Sequence, residues 1–146
     1  MRTKALFLFF GALTVAASVS AHHNFAAHYI GDEIIEHTGV VTEFRFVNPH
    51  ARVYFEITNA DGSNEVWMAE GDASVALRRS GWTPDRIKPG DSIHVVGSPA
   101  RNGTNTMSWY TVAIGGTDLG GGDGRREERA AILNRRLAEH RQQRNR

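Results

Sequence analysis

From His37 onward, apolar residues recur at every second position in short runs, and turn formers separate the runs. That period belongs to strands with one face buried and the other in water, not to helices. In the first run Val40, Thr42, Phe44 and Phe46 fall on one face, and Glu43 and Arg45 on the other. Asn48-Pro49-His50 ends it, because proline donates no ladder bond and pushes the residue before it out of helical geometry. Val53, Phe55 and Ile57 alternate with Arg52, Tyr54, Glu56 and Thr58 in a second run. The turn formers of Asn59 to Asn64 read as a hairpin loop, and Glu65 to Glu70 as a third strand.

The pattern then changes for a few residues. Asp72 or Ser74 can cap a short helix through Val75, Ala76, Leu77 and Arg78, and Gly81 ends it. Lys88-Pro89-Gly90-Asp91 is a tight turn into a fourth strand, Ser92 to Gly97. Arg101 to Thr104 turns the chain back into a fifth, Met107 to Ile114. This order matches an OB fold, a five-stranded Greek-key barrel with a short helix between strands three and four. A β-sandwich would normally want about seven strands. The expected fold class is therefore all-β: an OB-like barrel over residues 22–114.

Both flanks differ from the barrel. Arg2 and Lys4 precede an uncharged apolar run, Ala5 to Ala17, and Val19-Ser20-Ala21 supplies small residues at a signal-peptidase site. Residues 1–21 are expected to be a signal peptide, which makes the protein periplasmic or secreted. An uncleaved anchor is the alternative, but the run is shorter than the ~20 residues a spanning helix needs. After cleavage no transmembrane span is expected. With no cysteine in the chain, stability must come from an apolar core or a metal.

On the other flank, six of the ten residues in 115–124 are glycine, which reads as a linker. Residues 125–146 have helix-forming composition but a thin apolar stripe of Ala130, Leu133 and Leu137, so a frayed or partner-dependent basic tail is expected. Charge divides the same way. Residues 22–124 carry seven Lys and Arg against thirteen Asp and Glu, whereas residues 125–146 carry eight Arg against three Glu. The acidic barrel disfavours nucleic-acid binding, and the tail is the part suited to anionic surfaces.

Nucleophile-elbow, zincin and phosphate-loop motifs are absent from the sequence. The tryptophans at 67, 82 and 109 are expected to pack in the core rather than stack on a ligand. Histidine carries the remaining chemistry. Cleavage after Ala21 would leave a chain beginning His22-His23, whose free amine and first imidazole form a bidentate nitrogen chelate. Such donors suit Cu(II) best, then Ni(II) or Zn(II). A further nitrogen could come from His23, His28, His37, His50 or His94. His50 is the best placed of these, leaving a turn at a strand end. Glu70, after the third strand, could be an oxygen ligand or an acceptor for an imidazole N–H. The candidate metal residues are thus His22, His23, His50 and Glu70, with copper the candidate cofactor. The plainer alternative for this cluster is adventitious copper binding, which any chain starting His-His would show.

Taken together, His22-His23-Asn24-Phe25, Asn48-Pro49-His50, Glu70-Gly71, Leu77 to Trp82 and Lys88-Pro89-Gly90-Asp91 resemble a family of small exported bacterial proteins catalogued only as a domain of unknown function. The likeness covers about residues 22–114, with Asn24 where that family usually has Ser. It implies an exported OB-like barrel and brings no activity with it. The function expected is a non-enzymatic binding module whose ligand is small or a metal held by the N-terminal His. The alternatives are an accessory protein that docks on a periplasmic partner with no ligand of its own and, third, a copper enzyme built on the terminal His.

Overall fold

The computed structural model describes residues 25–120, 135–139 and 141–143. The expected signal peptide, His22, His23 and residues 121–134 lie outside them. Its elements run α1 (Phe25–His28), β1 (Ile35–Arg45), β2 (Arg52–Thr58), β3 (Asn64–Glu70), α2 (Ser74–Arg79), β4 (Ser92–Pro99), β5 (Thr106–Ile114) and β6 (Thr117–Asp118). Antiparallel pairing gives the sheet order β3-β2-β1-β4-β5-β6. Parallel pairing of β3 with β5, from Met68↔Thr106 to Glu70↔Ser108, joins the two sides and closes the barrel. Five closed strands with α2 between β3 and β4 are the OB arrangement that the hydrophobic period predicts.

Long β1 serves both halves of the barrel. Its first part pairs with β4, Ile35↔Gly97 to Val40↔Ser92, and its second with β2, Val40↔Glu56 to Arg45↔Arg52. The register slips between Val41 and Glu43, leaving Thr42 as an extra residue. An extra residue reverses which side chains face inward. Val41 is therefore buried and Val40 is 50% exposed, the reverse of the face expected from simple alternation. Phe44, beyond the bulge, turns back to the core.

The core comprises Val41, Val53, Phe55, Ala69, Leu77, Ile87, Ile93, Val95, Met107 and Val112, with Trp82 and Trp109 at one end. These two indoles stack with centroids 6.0 Å apart and planes 9° apart, so both are packing residues as expected. Two other expectations need correction. The backbone of Ala73 caps α2 without a side-chain bond, because the Ser74 hydroxyl donates instead to Asn48 Oδ1 at 3.0 Å. Nor does the chain leave the barrel at Ile114. Gly115 and Gly116, both at positive φ, make a tight turn that pairs Thr117 and Asp118 with Ile114 and Ala113. Leu119 then donates its N–H to Val112 O and packs on the core.

The arm before β1 holds α1, and it is stitched to the β4–β5 turn. Tyr29 bridges to Ala100, Ile30 N–H donates to Pro99 O at 3.0 Å, and Arg101 Nε donates to Ala26 O at 2.7 Å. Residues 135–139 and 141–143 are helical. No helix among the described residues is long and apolar enough to cross a membrane.

Candidate functional site

The Asn48-Pro49-His50 turn and the Glu70-Gly71 step meet at the end of the barrel capped by α2. The β2–β3 ladder continues one step past its strands: Gly71 N–H donates to Ala51 O at 2.9 Å, and Ala51 N–H to Asp72 O at 3.0 Å. That extension sets His50 beside Gly71, and its Nδ1 lies 3.0 Å from Gly71 O. A carbonyl oxygen only accepts, so Nδ1 carries the proton and Nε2 is the lone-pair nitrogen of the neutral ring. Asn48, held by Ser74, anchors the other side of the turn. Gly71 sits against the Trp109 ring, which stacks on Trp82, and the Phe44 ring centroid lies 6.5 Å from that of Trp82 and 5.7 Å from that of Phe46. Arg78 places its guanidinium 4.9 Å above the Phe46 ring.

Glu70 is one residue from the carbonyl that holds His50. Its Oε2 accepts from Arg52 Nε at 3.2 Å, so the carboxylate is paired within the sheet. Tyr29, from the arm, is buried on the same side. Burial pushes its hydroxyl up to about 12, the Glu70 charge adds to that, and Arg52 opposes it. The arm thus reaches the edge of the barrel that carries Glu70. Of the four predicted metal residues, His50 and Glu70 come to one rim, while His22 and His23 lie outside the described residues. Among the described residues, no group of three or more His, Asp and Glu is gathered as a metal site.

The other histidines are elsewhere. His94 sits on the outer face of β4 with Nε2 3.5 Å from Glu36 Oε2, while its neighbours Ile93 and Val95 are buried. His37 lies against Trp67, ring centroids 4.0 Å apart, and its Nε2 is shielded without a hydrogen-bond partner. Burial lowers the His37 pKa, with Glu65 opposing. The fold therefore favours neutral His37. Its contribution is complete above the unfolded-state value near 6.5 and is lost as pH falls from there through the lowered folded-state value. Thermal melts from about pH 7.5 to about pH 5 should show a fall in Tm that His37→Gln makes smaller; an unchanged fall would clear His37 of it.

Sequence reasoning missed Arg52, Gly71, Ser74 and Tyr29. Arg52 could have been found, because a hairpin centred on Asp61 places residue 52 opposite residue 70. The bonds made by Gly71 O and the Ser74 hydroxyl depend on how α2 packs, and no local pattern encodes them.

Residues 11–108 match the model of a family of unknown function, DUF6152. No curated protein matches the chain. Among solved structures, a chain of a complex of TiaS with transfer RNA and ATP is similar at 19% identity and a TM-score of 0.39, over 56% of this chain and 18% of that one. A tRNA fluorescent labeling enzyme gives 18% identity and 0.38 over the same shares. The small single-stranded DNA-binding protein from Streptomyces coelicolor gives 16% and 0.39 over 58% of this chain and 93% of its own. This chain thus spans under a fifth of the first two neighbours.

Proposed function

The chain belongs to DUF6152, a family of unknown function, and on that footing we propose that it is an exported, non-enzymatic binding module that holds copper or a similar metal between its mature N-terminus and His50. The supporting observation is the bond from His50 Nδ1–H to Gly71 O. Metal-binding histidines commonly anchor one ring nitrogen on a carbonyl in this way, which fixes the tautomer and aims the other nitrogen. The mature amine, the His22 imidazole and His50 Nε2 would make a three-nitrogen set of the kind Cu(II) prefers. Glu70 and His23 are the reserve donors. Export rests on the leader pattern of residues 1–21.

Titrating the mature form and its His50→Ala variant with Cu(II) against a competing chelator tests the reading. The expected loss is about tenfold or more, the scale on which ligand-shell changes act. Equal affinities would remove His50 from the site. A second reading, an accessory protein docking on a periplasmic partner with no ligand of its own, draws on a different observation. Val40 and Val66, 50% and 54% exposed, flank Glu56 in one row across β1, β2 and β3. Equal copper affinities would favour it.

A further inference from the structure

The C-terminal segment makes three different contacts with the β1–β4 flank. Leu137 packs against the small apolar cluster of Ile34, Val96 and Tyr110. Arg136 Nη1 donates to Gly31 O at 2.9 Å. Arg141 Nη2 donates to Glu36 Oε2 at 3.0 Å, the same oxygen that His94 faces at 3.5 Å. Leu137 and Arg141, four residues apart, share a helix face, and Arg136 lies on the other flank of Leu137. The segment therefore meets the barrel with an apolar centre and a cation on either side of it.

We infer that the C-terminal segment is a salt-sensitive latch, seated in the same chain on the flank formed by Ile34, Glu36, Val96 and Tyr110. Charge supports it, because an arm with eight Arg against three Glu meets a barrel with thirteen acids against seven bases. Glu36 is only 14% exposed whereas Arg141 is 56% exposed, so the receiving carboxylate is held in the barrel wall and the cation comes to it from the tail. Salt screens a partly exposed pair of this kind and leaves the apolar contact in place, so rising ionic strength weakens the latch gradually and only in part. Gly31 and Ile34 belong to the stretch that joins α1 to β1, so the docked tail also steadies the arm leading to Tyr29.

Trypsin reads the latch in the full mature chain, because a docked helix resists cleavage after Arg135, Arg136 and Arg141. Leu137→Asp should speed cleavage there about tenfold or more, as expected for burying a charge in place of leucine. Glu36→Gln, which is on the barrel, should speed it about threefold, the scale of one exposed ion pair. Raising NaCl should speed the wild type more than Leu137→Asp. Cleavage after Arg52 and Arg86 reports on the barrel and should not change. Wild-type rates at the tail in both variants would overturn the latch. So would protection that grows with chain concentration, which would mean that the tail seats on a second copy.

Discussion

Gly71→Ala is expected to destabilise the barrel by about 3 kcal/mol or more, at the upper end of what overpacking costs. A Cβ at residue 71 would fall 1.8 Å from Trp109 Cζ2 and 1.9 Å from its Cε2. The ring cannot withdraw, because Trp109 is 6% exposed and stacks on Trp82, itself 3% exposed. The backbone cannot withdraw either without breaking the bonds that tie Gly71 and Asp72 to Ala51. For a domain of about this size the melting temperature should fall by roughly 12 °C or more. Adding Trp109→Leu should recover part of the loss, since the two substitutions share one volume. A single Gly71→Ala variant as stable as wild type would mean that the Glu70-Gly71 step does not sit against Trp109. The same substitution should also weaken any ligand held through His50, because it displaces the carbonyl that orients the ring.

The five barrel strands, their order and the place of α2 were legible because each of those strands is bounded by its own turn formers and its interior keeps period two. The inward face of β1 was not. Alternation holds on both sides of Thr42, and nothing in Val41-Thr42-Glu43 marks where the phase reverses; the slip becomes visible only in the pairing with Phe55 and Tyr54. Glycine density misled for a similar reason. Two adjacent glycines at positive φ serve a hairpin turn as readily as a linker, and what decides between them is the partner strand that Leu119 returns to. In the site, hairpin register alone puts Glu70 near the start of β2 and so near His50. The tautomer of His50 is different. It depends on Gly71 O, whose position is set by the packing of Trp109 and α2 and by no local pattern.

The largest effect on binding is expected at His22, the first residue of the proposed mature chain. A free amine and the imidazole of the same His22 close one chelate ring; acetylation converts that amine to an amide and leaves the imidazole without it, whereas adding a residue would supply a new amine and put His23 third in the chain. Losing one nitrogen and the ring that it closes should weaken Cu(II) binding about a hundredfold or more, or roughly 3 kcal/mol. His50→Ala should act on the form with the free amine and lose most of its effect in the acetylated form, because the two donors then no longer converge on one ion.

The decisive measurement is therefore a Cu(II) competition titration of the chain that begins at His22 beside the same chain with its N-terminal amine acetylated. A single tight site is expected in the first, weakened about a hundredfold or more in the second. Equal affinity in the two chains would contradict the N-terminal chelate, and would leave the barrel without the metal site proposed for it.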